Sequence, residues 1–151
     1  MCTIPTMIQD LNDEPQTLLG FDFGRKRIGV AVGQSLTGTA SPLSQIDATH
    51  DYLEAIEKII QQWRPQILIV GHPIHMDESE SHMSKAATQF AKQLEQRFNL
   101  PVHLIDERLS TREAKQRIEE LKGNKRYTKE QLNSVAAQVI LETWLQQISL
   151  T

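Results

Sequence analysis

The sequence has a single cysteine, Cys2, among its 151 residues. One cysteine excludes an internal disulfide, which suits a reducing compartment, and we expect a cytoplasmic protein. A basic stretch and a long apolar run are both missing from residues 1–16, so we expect neither a signal peptide nor a membrane anchor there. Residues 1–16 are predicted to form a flexible leader. Residues 17–151 are predicted to form one domain, because no repeat or low-complexity linker divides them.

An excess of positive charge is also missing, since the net charge is −3 at pH 7. A protein that binds long nucleic acid through its overall charge would be basic. Any contact with nucleic acid must therefore come from local clusters, although such clusters are equally typical of a solvated surface. The sequence offers two of them, Arg25-Lys26-Arg27 and the looser group Lys122, Lys125, Arg126 and Lys129.

What the sequence does contain is a regular alternation of strand and helix patterns. Residues 17–33 form two apolar runs around Gly24 and predict a β-hairpin, with a third strand at 39–46. Continuous apolar runs at 67–71 and 102–106 predict strands buried on both faces. The fold class is therefore α/β: a mixed five-stranded sheet, built from a three-stranded antiparallel meander and two parallel strands, with helices on both faces.

Helical spacing of apolar residues predicts the helices between and after these strands. The first follows Thr49, a predicted N-cap, and stops before Pro65. The second carries an apolar side made of Ala86, Ala87, Phe90, Leu94 and Phe98. Two capping boxes predict two further helices: Ser110 with Glu113 opens one that ends at Gly123, and Thr128 with Gln131 opens one that runs to about residue 148. Trp63 and Trp144 lie in apolar helical stripes and are predicted to be core residues.

Acidic residues fall at the carboxyl ends of two predicted parallel strands, where ligand sites gather in sheets of this kind. Asp22 interrupts an otherwise apolar strand, and Glu107 directly follows VHLID. Two carboxylates at one sheet edge repel each other unless a proton or cation lies between them. Oxygen ligands suit Mg²⁺ or Mn²⁺. Asp106 is the weaker candidate ligand, because strand alternation sends it to the opposite face.

A structural ion pair is the alternative to a metal site, with Arg25, Lys26 or Arg108 as the partner of Asp22.

The last predicted helix contributes a third candidate, Asn133. It heads the stripe Asn133, Ala136, Ala137, Ile140 and Trp144, which the helix must bury against the sheet. We expect Asn133 to point inward near the first strand, although a stripe-end amide is as often a satisfied rim residue.

Histidines in the polar segment 72–81 allow one further interpretation. His72 and His75, with Asp77 or His82, could bind a transition metal. Their spacing matches no zinc motif, so a substrate-facing or solvated loop is favoured.

Together these segments resemble the YqgF family of RuvX-like proteins. The resemblance covers residues 17–146 and rests on LLGFDFGRKRIGVAVG, VHLIDERLSTREA and LNSVAAQVILETWL in that order. It implies an RNase H-like fold and metal-dependent phosphodiester hydrolysis, in which Asp22, Glu107 and the position of Asn133 form the catalytic site. The implied function is nuclease processing of pre-16S rRNA ends in ribosome biogenesis, and the alternative is Holliday junction resolution.

The chain departs from the family pattern at Asn133, where the family usually has an aspartate, and in the loop after Gly71. Because an amide adds no charge, we expect one tightly bound metal ion, low nuclease activity, and as an alternative a non-catalytic nucleic-acid or ribosome-associated binder. Basic residues adjacent to the acids in sequence can hold flanking phosphates; they are Arg25, Lys26, Arg27, Arg108 and Arg112. The predicted partner is pre-rRNA or branched DNA, and no membrane partner is expected. The protein is expected to be a monomer or a homodimer.

A nucleotide-binding module of the actin and sugar-kinase type shares the Asp-x-Gly turn after its first strand. Such proteins close two domains around ATP, and this chain has length for one and no Walker-type loop. This alternative is therefore disfavoured.

Overall fold

The computed structural model describes residues 15–24, 26–72, 82–106, 116, 119–120, 123, 128, 131 and 134–149. Among the helices of this part of the chain, none has the length and apolar character needed to cross a membrane. Gln16 is already tied to the sheet, because its amide donates to Ser35 Oγ at 2.7 Å and its carbonyl accepts from the Ser35 amide at 2.9 Å.

The predicted sheet is confirmed. Its five strands lie in the order β3-β2-β1-β4-β5. The first three are antiparallel neighbours, and β4 is parallel to both β1 and β5. The strands span Thr17–Phe23 (β1), Arg27–Gln34 (β2), Thr39–Asp47 (β3), Ile67–His72 (β4) and Val102–Asp106 (β5).

Helices cover both faces of the sheet, as predicted. Helices α1 (Tyr52–Trp63) and α2 (His82–Phe98) cover one face, and α3 (Val135–Ser149) covers the other. We call these the α1/α2 face and the α3 face. Strand alternation divides β1 between them: Leu19 and Phe21 pack on the α1/α2 face, whereas Leu18 packs on the α3 face.

The first helix begins two residues later than predicted. Asp51, not Thr49, is the N-cap of α1, and its carboxylate accepts from the Glu54 amide. Thr49 instead donates its amide and hydroxyl to Asp47. The hydroxyl bond and then the amide bond lower the pKa of the Asp47 carboxyl, which is therefore ionised at neutral pH. A threonine just before a helix can thus stabilise the preceding turn and need not cap the helix.

The capping box at Thr128 is confirmed. The Thr128 amide donates to Gln131 Oε1 at 2.9 Å, and the Gln131 amide donates to Thr128 Oγ1 at 3.2 Å. Gln131 is helical, and α3 spans Val135–Ser149. Ser134 is a turn residue whose amide donates to the Gln131 carbonyl at 2.9 Å.

The predicted apolar stripe of the last helix is only partly right. Ala137 and Ile140 are buried on the sheet, but Ala136 and Trp144 are only half-buried. Leu141 and Leu145 belong to the buried face instead. The helix lies over the middle of the sheet and is buried on more than one side, as Ser134, Val135, Gln138 and Val139 show. Trp63 and Trp144 lie at the margin of the core, where Trp144 stacks on His103 with ring centroids 5.0 Å apart.

Several predictions concern residues outside the described part of the chain. They are the loop at 73–81 with His75 and Asp77, the capping box of Ser110 and Glu113, and the basic group Lys122, Lys125, Arg126 and Lys129. Of the helix predicted at 110–123, the described residues Gln116, Glu119 and Glu120 are helical. The side chains of His72 and His82 also lie outside the description.

Candidate active site

The sheet brings Asp22 to the carboxyl end of its central strand, on the α3 face. Leu18 and Gly20 share this face, since Leu18 packs in the α3 core and a Cβ on Gly20 would contact Leu141 of α3. Alternation along β1 puts Asp22 on the same side, two residues further on. Asp22 is half-buried. Asp22 therefore lies one residue before the end of β1, at the sheet edge where ligands bind in folds of this kind.

Glycines border Asp22 on both neighbouring strands. Gly29 of β2 is its register partner, and Gly71 of β4 lies one residue beyond the pair Phe21 and Val70. Alternation puts both glycines on the α3 face, because Ala31 and Ile69, two residues before or after them, pack there. On the two neighbouring strands, the positions beside the Asp22 carboxylate are thus glycines, which carry no side chain.

Helix α3 approaches the sheet very closely at Gly20, two residues before Asp22 on β1. A Cβ on Gly20 would lie 2.5 Å from Leu141 Cγ and 3.2 Å from the Ala137 carbonyl oxygen. A Cβ on Gly33 would lie 3.2 Å from Leu141 Cδ1. These two glycines therefore allow α3 to pack close to β1 and β2. The distance between the helix and the sheet in turn affects where the helix start lies relative to Asp22.

Substituting Gly20 with alanine is expected to lower the free energy of unfolding by about 1–3 kcal/mol, because the added methyl group overpacks the contact with α3. The measurement is chemical denaturation of the purified variant beside wild type. Gly123→Ala is the matched control, because a Cβ there meets nothing closer than 3.6 Å. Equal stability of the two variants would show that the glycine contact does not set the helix position.

The start of α3 is bonded to the sheet through Ser134. This side chain is fully buried, and its Oγ accepts a hydrogen bond from the Val30 amide at 3.0 Å. Val30 pairs with Phe21, so the bond lies one residue from the pair of Asp22 and Gly29. Sequence reasoning missed Ser134; the available signal was a small polar residue at the start of an otherwise apolar helix.

Two of the predicted phosphate-binding residues are described. Lys26 and Arg27 are exposed at the turn between β1 and β2, at the same end of the sheet as Asp22. Alternation along β2 puts Arg27 on the α3 face with Gly29. Its register partner on β3 is Asp47, which sequence reasoning did not include. Two exposed cations thus lie at this end of the sheet, Lys26 and Arg27.

The remaining predicted site residues, Arg25, Glu107, Arg108, Arg112 and Asn133, lie outside the described residues. Among the residues that are described, no three acidic, histidine or cysteine side chains come together as a metal-binding group. Of the two predicted metal ligands, Asp22 is among the described residues. The ion pair of Asp22 with Arg25, Lys26 or Arg108 stays an alternative prediction.

Comparison with known proteins identifies the family. The family described as "RuvX: Holliday junction resolvase" matches residues 16–147, nearly the whole chain. This chain belongs to the RuvX family. The resemblance found in the sequence is thereby confirmed, as is the prediction that the chain is a nuclease of this family.

Relatives of this RuvX chain agree with that assignment. A Legionella pneumophila (strain Philadelphia 1) protein named "Putative pre-16S rRNA nuclease" is 56% identical over 131 residues, which cover 85% of this chain and 94% of the relative. A Hahella chejuensis protein of the same name is 46% identical over 132 residues, covering 86% and 84% of the two chains.

Solved structures share the fold at low sequence identity. Thermus thermophilus RuvC in complex with a Holliday junction substrate superposes with a TM-score of 0.56 at 13% identity, covering 90% of this chain and 97% of that one. The yeast mitochondrial Holliday junction resolvase gives 0.55 at 11% identity, covering 99% and 87%. At these identities the likeness establishes the RNase H-like fold, as predicted.

Proposed function

We propose that this RuvX protein is a metal-dependent endonuclease that hydrolyses phosphodiester bonds in structured nucleic acid and trims the ends of pre-16S rRNA in the cytoplasm. The observation that carries the proposal is the position of Asp22: a half-buried carboxylate on the α3 face, at the carboxyl end of the central strand, bordered by Gly29 and Gly71. Burying a carboxylate in this setting is costly unless a cation or donors face it.

The donor chemistry fits Mg²⁺ or Mn²⁺. Asp22 offers hard oxygen ligands, and the strand positions beside it are the glycines Gly29 and Gly71. Glu107 is the proposed second ligand. β5 is parallel to β4, and β4 is parallel to β1, so the chain leaves β5 at the sheet edge where Asp22 lies.

Asn133 is the proposed third position of the catalytic site. It precedes Ser134, which is anchored to β2 beside the Asp22 register, and consecutive Cα atoms are about 3.8 Å apart. As an amide it contributes an oxygen without charge. We therefore expect one tight metal ion in the free protein and a second only with substrate.

In the proposed reaction the side chains of the protein bind the metal and orient the substrate. Asp22 and Glu107 would hold the metal, while Lys26 and Arg27 at the β1–β2 turn would hold flanking phosphates, joined by Arg25, Arg108 and Arg112. Such contacts fix the backbone of the substrate without reading its sequence. When bound, divalent ions activate water and stabilise the leaving oxygen of an in-line displacement.

Precursor rRNA is favoured over branched DNA because the relatives at 56% and 46% identity carry a pre-16S rRNA nuclease name. Junction resolution is the second candidate, favoured by the family description and by the fold shared with RuvC. The two candidates differ in assembly: symmetrical cutting of a four-way junction calls for a homodimer, whereas trimming an rRNA end is possible for a monomer.

The test is a parallel cleavage assay on a pre-16S rRNA fragment and on a four-way DNA junction, each with Mg²⁺ and with Mn²⁺. We expect metal-dependent cleavage of the rRNA precursor and slower or no cleavage of the junction. Faster cleavage of the junction would reverse the substrate assignment. Binding of both without cleavage by the wild type would support a non-catalytic role.

A further inference from the structure

The hydroxyl of Ser134 forms a hydrogen bond to the sheet within a contact that is otherwise mainly apolar. Most of the contact between α3 and the sheet is apolar, through Ala137, Ile140, Leu141 and Leu145. Ser134 is nevertheless fully buried, and its Oγ accepts from the Val30 amide at 3.0 Å across 104 positions of sequence. A polar group at the start of a mainly apolar contact adds a distance constraint that apolar packing alone lacks.

The amide that Ser134 binds belongs to an irregular part of the sheet. The register between β2 and β3 shifts between Ile28 and Val30, which marks a β-bulge. A bulge disrupts the ladder locally, and Ser134 Oγ provides the acceptor for the Val30 amide. Gly29, the partner of Asp22, lies inside this irregular stretch. The bond therefore connects the start of α3 to the strand segment that borders Asp22.

Ser134 is itself held on both sides along the chain. Its amide donates to the Gln131 carbonyl at 2.9 Å, and its carbonyl accepts from the Gln138 amide at 3.1 Å. Gln131 in turn is fixed by the reciprocal capping box with Thr128. Gln131 and Ser134 are thus joined by a backbone hydrogen bond, and Ser134 is bonded to β2.

We propose that Ser134 is a positioning residue, which sets the start of α3, and with it Asn133, relative to Asp22. The inference rests on the proposed function, because it assigns Ser134 a role in that same site. Catalytic groups must be held to within about 0.5 Å of their working geometry, and a buried hydrogen bond beside the Asp22 register supplies this constraint.

The experiment compares Ser134→Ala with Gln138→Met. Both remove one buried hydrogen bond from α3 to the sheet, since Gln138 Nε2 donates to the Ala40 carbonyl at 3.1 Å. The Gln138 bond goes to β3, away from Asp22. We expect both variants to melt a few degrees lower, about 2–8 °C. Only Ser134→Ala is expected to lose about 10- to 100-fold in kcat on the rRNA precursor, with KM unchanged.

Ser134→Thr keeps the acceptor oxygen and is expected to recover kcat. Ser134→Cys has a weak acceptor of similar size, and its kcat is expected to lie between those of wild type and Ser134→Ala. It replaces Ser134→Ala if that variant does not fold. Equal kcat for the Ser134→Ala and Gln138→Met proteins would overturn the positioning role.

A nuclear Overhauser measurement separates this proposal from the nuclease assignment. We expect contacts from the Asn133 side-chain amide to Gly29 or Asp22 in wild type and in Gln138→Met, and their loss in Ser134→Ala. Because this readout needs no catalysis, it decides the role of Ser134 even if the wild-type protein cleaves nothing, an outcome that counts against the proposed function alone. Unchanged contacts in Ser134→Ala would refute the positioning role.

Discussion

Asp22→Asn is expected to lower the rate of rRNA cleavage at least about 100-fold, the scale of removing one essential electrostatic group from an active site. Asparagine has the size of aspartate but no charge, so the variant keeps the shape of the sheet and loses the attraction for a divalent ion. The measurement is single-turnover cleavage of the precursor fragment at saturating Mn²⁺, with a melting curve to verify the fold.

Asp47→Asn is the matched control for Asp22→Asn. Asp47 is an exposed aspartate of β3, paired in register with Arg27 near the same end of the sheet. We expect its substitution to change the rate by less than about threefold, because an exposed charge is largely screened. Equal losses in the two variants would mean that the site responds to overall charge, and a fully active Asp22→Asn protein would exclude Asp22 from catalysis.

Asn133→Asp is expected to raise the cleavage rate about 10- to 100-fold. The added carboxylate would supply the third negative charge that two divalent cations favour. The comparison uses the same single-turnover assay across a range of Mg²⁺ and Mn²⁺ concentrations, and the gain should be largest at low metal.

Gln147→Glu adds the same charge to the same helix and serves as its control. Gln147 is exposed and lies thirteen residues after Ser134, about 20 Å along the helix axis, beyond the screening length at physiological salt. We expect no change in rate from this variant. Cleavage that appears only in the Asn133→Asp protein would identify the natural chain as a nucleic-acid binder.

The strand framework was predictable because it depends on local signals. ILIVG and VHLID are apolar runs of strand length, and the right-handed crossover rule orders them beside β1. The position of Asp22 followed from that order, since parallel strands bring their carboxyl ends to one edge. The Thr128 capping box was predictable for the same reason: its two partners are three residues apart.

The burial of α3 was less predictable. A 3.6-residue stripe identifies one buried face, but α3 lies over the centre of the sheet and also buries Val135, Gln138 and Val139. Helix burial of this kind depends on where the sheet places the helix. The glycine contacts of Gly20 and Gly33 with Leu141 depend on the same long-range placement, so spacing within the sequence could not assign them.

Ser134 shows the limit of sequence reasoning within the site itself. Its partner Val30 lies 104 positions away, beside a register shift between β2 and β3 that no residue pattern indicates. The glycine positions beside Asp22 have the same origin, because Gly29 and Gly71 border the carboxylate only through the pairing of three strands.

The most direct test of the account is a calorimetric titration of the free protein with Mn²⁺, performed on wild type and on Asp22→Asn. The account predicts one tight site per wild-type chain and the loss of that site in the variant. Two tight sites in the free wild-type protein, or tight binding that survives in Asp22→Asn, would contradict it.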